Sequence, residues 1–137
     1  MDGEYTHSLD SKNRLTIPMK YREELCADVV LACGSAKNLL LLPYEVWKKR
    51  LERISEFPPA RRNALRELAN HYAARMSPDS QGRIVMPKLQ IDFSGIQSDV
   101  VVLGQGDYCV IWASEKWGAR LAALEAELLG DYASLEL

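Results

Sequence analysis

Apolar and polar positions along this chain fall into short runs, and the runs predict strands alternating with helices. Glu4 to Leu9 alternates weakly and carries Tyr5 and Thr6, which predicts a short strand. Asp10 to Asn13 is turn chemistry, because Asp and Ser bond nearby backbone N–H groups and Asn tolerates positive φ. Arg14 to Ile17 predicts the returning strand, ended by Pro18, which cannot donate to a ladder. One or two helical turns follow over Met19 to Leu25. Val29 to Cys33 and Leu39 to Leu42 predict two buried strands around a turn at Gly34-Ser35-Ala36-Lys37-Asn38.

Helical periods come next. Trp47, Leu51 and Ile54 recur at i, i+4 and i+7 and predict a helix with one face in the core. Phe57-Pro58-Pro59 opens a different segment. Proline suits a first helical turn, and Leu65, Leu68, Tyr72 and Met76 form a stripe, so Pro59 to Arg75 reads as a connecting helix. Val100 to Leu103, the turn Gly104-Gln105-Gly106-Asp107 and Tyr108 to Trp112 predict a second hairpin. Trp117, Leu121, Leu124 and Leu128 then predict a last helix packed on the core, with Ser114 as N-cap. After Gly130 the tail reads as short and frayed.

The pattern is written twice. Asp10-Ser11-Lys12-Asn13-Arg14-Leu15-Thr16-Ile17-Pro18 returns 69 positions later as Asp79-Ser80-Gln81-Gly82-Arg83-Ile84-Val85-Met86-Pro87, with Asp, Ser, Arg and Pro identical. Val29-Val30-Leu31 answers to Val100-Val101-Val102-Leu103. Glu45-Val46-Trp47-Lys48-Lys49-Arg50-Leu51 answers to Glu115-Lys116-Trp117-Gly118-Ala119-Arg120-Leu121, 70 positions on. An ordered series of matches identifies a tandem duplication: a first half over 1–56, a connecting helix over 57–75, a second half over 76–130 and a tail over 131–137. Halves of roughly 55 residues are marginal as independent cores. They are expected to pack together about a pseudo-two-fold axis, with their Asp-x-x-x-Arg loops in related positions.

Composition alters this picture little. With 47% hydrophobic and 26% charged residues the chain has the make-up of a soluble globular protein. Apolar runs such as Leu39 to Leu42 are far too short to cross a bilayer, so no membrane association is expected. The first residues carry neither a basic nor an apolar signal region. Cys26, Cys33 and Cys109 are odd in number and lack Cys-x-x-Cys spacing, which fits reduced thiols in a cytosol. His7 and His71 stand alone, so no metal site is expected. No nucleophile sits in a recognisable setting and no glycine-rich phosphate loop precedes a helix, so neither enzyme nor cofactor is expected. A formal net charge of −2 leaves any nucleic-acid role to local patches.

The duplicated loop supplies the candidate chemistry. Asp10 with Arg14, and Asp79 with Arg83, have the spacing of an i, i+4 ion pair on a helix; the β-branched neighbours, Gly82 and the closing prolines argue against one. In a turn, each aspartate can pin the loop through an Asx arrangement or an ion pair. Lys12 with Arg14, and Gln81 with Arg83, offer donors suited to phosphate oxygens or guanine edges. Lys20 and Arg22 enlarge the first patch. Arg61, Arg62, Arg66 and Arg75 form either a second basic face or a solvated one, interrupted by Glu67.

These motifs carry a resemblance to the MraZ family of bacterial transcriptional regulators. Gly3-Glu4-Tyr5-Thr6-His7-Ser8-Leu9-Asp10-Ser11-Lys12-Asn13-Arg14-Leu15-Thr16-Ile17-Pro18 matches the family's opening, Asp79-Ser80-Gln81-Gly82-Arg83 matches its second motif, and the likeness covers nearly the whole chain. The resemblance implies an α+β, β-rich fold: two tandem pseudo-symmetric AbrB-like swapped-hairpin halves packed as one unit with peripheral helices. It implies a cytoplasmic, nucleoid-associated homo-oligomeric ring, octamer-like or larger. Such a ring would bind short G-rich direct repeats in double-stranded promoter DNA, upstream of the division and cell-wall gene cluster that includes its own gene, typically as a repressor. By position, Lys12, Asn13 and Arg14 would belong to the first DNA-facing loop and Gln81, Gly82 and Arg83 to the second, with Asp10 and Asp79 structuring them. Asn13 departs from the family's usual Gly. Two rivals stand beside this reading: an oligomeric scaffold whose loops make subunit contacts, and an antitoxin-like AbrB relative, for which the segment after Gly130 leaves little room.

Overall fold

The computed structural model describes residues 1–25 and 27–137, so Cys26 lies outside the described residues. In chain order the elements are β1 (Glu4–Ser8), β2 (Arg14–Thr16), α1 (Met19–Leu25), β3 (Val29–Cys33), β4 (Leu39–Pro43) and α2 (Tyr44–Leu51). A 3-10 turn (Glu52–Glu56), α3 (Pro59–Tyr72), β5 (Ala74–Met76), β6 (Arg83–Val85), α4 (Lys88–Ser94), β7 (Asp99–Gly104), β8 (Cys109–Ala113) and α5 (Ser114–Ala133) follow. The class is α+β, with the strands at the centre.

Six strands form one sheet in the order β1-β7-β8-β4-β3-β5, and β2 pairs with β6 in a separate ribbon. Under the duplication β1 answers to β5, β7 to β3 and β8 to β4, so the order reads the same from either edge. Each half's first strand pairs with the other half's hairpin, β1 with β7 and β5 with β3. At the centre Leu40 faces Val110, and in the ribbon Leu15 faces Ile84. Both are pairs of equivalent positions, so a pseudo-two-fold axis passes through them.

The expectation that Arg14 to Ile17 returns along β1 therefore fails: β2 pairs antiparallel with β6. A three-residue strand covers little surface alone. Joined to its counterpart, it buries Leu15 and Ile84 to 1% exposure each, and full burial of such side chains contributes about 1.5–3 kcal/mol apiece.

Strand residues alternate between two layers, as the period of two requires. Val29, Leu31, Leu39, Leu41, Val100, Val102, Cys109 and Ile111 face the ribbon, α1 and α4 and form the main core with Leu15, Ile17, Tyr21 and Ile84. Val101, Val110 and Trp112 face the other way, packing with Leu40, Leu103, Tyr108 and Trp117.

Helix ends depart from the sequence pattern in several places. The connecting helix stops at Tyr72, and Arg75 lies in strand β5 rather than on the helix. Backbone pairing of Ala74 to Met76 with β3 wins over the continuing apolar stripe. Ile54 falls on the 3-10 turn, beyond α2. Ala113, not Ser114, holds the N-cap of α5, with no side-chain cap bond. That helix also runs through Gly130 to Ala133, because a single interior glycine costs only about 1 kcal/mol against strong neighbouring helix formers. Finally, no residue of α5 is buried: Leu121 is 39% exposed and Leu128 42%. Trp117 and Leu124 are half-buried on the sheet, and the rest of the expected core stripe faces outward.

Candidate nucleic-acid interface

Each Asp-x-x-x-Arg loop is built by one carboxylate. Asp10 Oδ1 accepts the backbone N–H groups of Lys12 and Arg14, both at 2.9 Å, and Oδ2 accepts Arg14 Nε at 2.6 Å. Asp79 repeats this in the second loop. Its Oδ1 accepts the N–H groups of Gln81 and Arg83 at 2.9 Å, and its Oδ2 accepts Arg83 Nε at 2.8 Å. Two backbone bonds close each turn, Asn13 N to Asp10 O and Asp10 N to Arg14 O in one copy, Gly82 N to Asp79 O and Asp79 N to Arg83 O in the other. Bonded this way, both carboxyls are held below the ordinary value of 3.8, first through the backbone N–H of Arg14 or Arg83 and further through the arginine side chain. The spacing of four thus makes an ion pair across a turn, not along a helix.

Asn13 and Gly82 occupy the left-handed region, at φ 56° and 76°. This is the position where Asn and Gly are the tolerated residues.

The ribbon brings the loops together. Arg14 pairs with Val85 and Thr16 with Arg83, so Arg14, Thr16, Arg83 and Val85 share the face opposite buried Leu15 and Ile84. Val85 is 57% exposed there. Cross-bonds from Ile17 N to Gly82 O and from Met86 N to Asn13 O, each 2.8 Å, fix a loop to either end. With Nε given to the aspartate, each arginine keeps its two terminal amino groups as remaining donors. Lys12, Asn13 and Gln81 are exposed, Arg14 and Arg83 half-buried, and Gly82 buried.

Several other basic residues of the sequence reading are otherwise engaged. Lys20 pairs with Asp2. Arg75 binds Asp28 through Nε at 3.1 Å and Nη2 at 2.5 Å, and its guanidinium stands 3.5 Å from the centre of the Tyr44 ring. Arg62 Nε donates to Phe57 O at 2.6 Å. Arg22, read from sequence as part of the first patch, lies against Gly82 of the second loop. No local pattern signals that contact, because it joins segments 60 positions apart. Among the described residues no group of three or more His, Cys, Asp or Glu is placed to hold a metal. Nor is any helix long and apolar enough to cross a membrane. Cys33 and Cys109 are unpaired, and burial pushes the Cys109 thiol up to about 12.

A pseudo-symmetric β-rich unit presenting two carboxylate-pinned arginine loops on one ribbon defines a class. Comparison with known proteins then places the chain within it. The profile of the family described as "MraZ protein, putative antitoxin-like" matches residues 1–67 and 71–131. A protein of Herpetosiphon aurantiacus named transcriptional regulator MraZ is 39% identical, over 96% of this chain and 95% of its own. Proteins of the same name from Leuconostoc mesenteroides and Thiobacillus denitrificans are each 36% identical, covering 88% and 93% of this chain and 85% and 96% of theirs. The chain belongs to the MraZ family.

Proposed function

We propose that this chain is a DNA-binding transcriptional regulator whose two Asp-x-x-x-Arg loops meet double-stranded DNA from the outer face of the β2–β6 ribbon. The observation that carries the reading is the repeated clamp: each aspartate holds a turn and one edge of an arginine, and the same arginine keeps a fork of donors for phosphate or guanine. The names of its relatives support it. Lys12, Asn13 and Arg14 serve the first loop and Gln81, Gly82 and Arg83 the second, with Asp10 and Asp79 structuring them. On this reading the halves, 1–56 and 76–130 joined through 57–75, are swapped hairpins, and the DNA consists of G-rich direct repeats. The regulated genes are the division and cell-wall cluster including its own gene, and the effect is repression in the nucleoid.

Self-assembly into a ring belongs to the same proposal. Leu121, Leu128, Leu129 and Tyr132 expose a contiguous apolar face on α5, a surface that marks association in a protein. Repetition around a ring multiplies weak single-loop contacts by ~100-fold or more when geometry permits, which reconciles DNA binding with a net charge of −2. That same face favours the rival in which assembly is the whole function.

Fluorescence anisotropy on labelled DNA from upstream of the protein's own gene, beside a scrambled duplex, separates these readings. Selective binding to the native DNA is expected, and Arg14→Ala should weaken it by about 1–3 kcal/mol per engaged subunit. An oligomer that ignores both duplexes would leave the scaffold standing and remove the regulator.

A further inference from the structure

The two loops differ in the charge they carry, and the molecule supplies the difference from the opposite half. Loop one has Lys12 at its tip; loop two has Gln81 in that place. Arg22, on α1 of the first half, lies directly on loop two. A Cβ built on Gly82 would overlap Arg22 Nε and sit 2.5 Å from its Cζ and 2.9 Å from its Cδ. Arg22 Nε donates to Ile17 O at 3.0 Å, and Ile17 N donates to Gly82 O at 2.8 Å, so guanidinium, ribbon and loop are tied together. With Leu25, Pro78, Asp79, Ser80 and Gly82, Arg22 lines a cleft of about 260 Å³. The neighbouring Asp79 carboxylate is already engaged by two backbone N–H groups and Arg83. The residue equivalent to Arg22 in the second half is Ile91, so α4 offers loop one no such cation.

We propose that Arg22 is the second cation of loop two, doing from across the molecule what Lys12 does within loop one. It packs on Gly82 with its Nε bonded to Ile17 O, and its terminal amino groups serve a phosphate beside the loop. A planar guanidinium suits both tasks, since it can lie flat on a glycine and still present a fork. This assignment rests on the reading of the loops as a DNA surface. Arg22 is a positioning and phosphate-contacting residue, distinct from the arginines of the duplicated motif.

The test is duplex binding by anisotropy across a salt series, for the full chain and for Arg22→Gln and Arg22→Lys, with thermal unfolding in parallel. Arg22→Gln should flatten the dependence of log K on log salt by about 0.9 for each engaged subunit, while Arg22→Lys keeps the slope. Arg22→Gln should also be non-additive with Arg83→Ala, by about threefold or more, and additive with Arg14→Ala. A lowered unfolding midpoint with an unchanged salt slope in Arg22→Gln makes Arg22 purely structural and overturns the proposal, as does a slope that flattens equally in Arg22→Lys, which keeps the charge. Coupling to Arg14 in place of Arg83 overturns it as well. If the unaltered protein binds no duplex at all, the regulator reading falls and this one with it; if it binds and Arg22→Gln binds with the unaltered salt slope, this one falls alone.

Discussion

Loop one and loop two share a carboxylate clamp, a turn and a place at the end of one ribbon, yet they reach the same backbone by different routes. Asn13 takes its positive φ with its side chain in open solvent. Gly82 is buried under a guanidinium, in a space where a methyl group would collide. The lesson concerns what duplication preserves. The elements that lie on the pseudo-axis have remained interchangeable, while the loop tips, lying off it, have acquired separate neighbours.

That contrast can be broken in order of effect. Leu15→Ala and Ile84→Ala, both at the axis, should each destabilise by about 2–5 kcal/mol in urea unfolding, and by similar amounts. A large inequality between them would mean that the core is no more symmetric than the loops. Gly82→Ala comes next. It meets both the left-handed backbone and Arg22, so a loss of about 1–3 kcal/mol is expected, whereas Asn13→Gly should stay within about 1 kcal/mol of the parent. Equal sensitivity at the two positions would contradict the packing described for Gly82.

The smallest effect is a pH dependence common to both loops. Because the Asp10 and Asp79 carboxyls are held below 3.8 in the folded protein, their contribution is complete above the unfolded value and is lost as pH falls through the folded one. The urea midpoint of the parent should exceed that of the Asp10→Asn, Asp79→Asn double variant at pH 7, and the gap should close on acidification below about pH 4. A gap that keeps its size down to pH 2 would take the carboxylates out of loop stability.

Much of the architecture could be read locally. Turn residues announced the loops, short apolar runs announced the buried strands of both hairpins, and the Asn–Gly equivalence at positions 13 and 82 announced a left-handed backbone. Partnership was not legible. Nothing within Arg14 to Thr16 says that it pairs with a segment 69 positions away and not with its own neighbour, because register is decided by which pairing buries Leu15. The α5 stripe misled for a related reason. Periodicity reports that Leu121 and Leu128 share a face and is silent about what covers it. Of the candidate site, the duplicated motif marks the two clamped loops in the sequence, but the place of Arg22 emerges only when the halves are joined.

The inequivalence of the loop tips has a directional consequence. A body with a true two-fold axis looks the same after half a turn, so it reads a duplex equally well in either orientation and suits a palindrome. Lys12 at one end of the ribbon and Arg22 at the other remove that equality. On the proposed DNA-binding reading, the fused chain has a head and a tail along a duplex, and successive copies laid down in the same sense would follow a direct repeat rather than an inverted one.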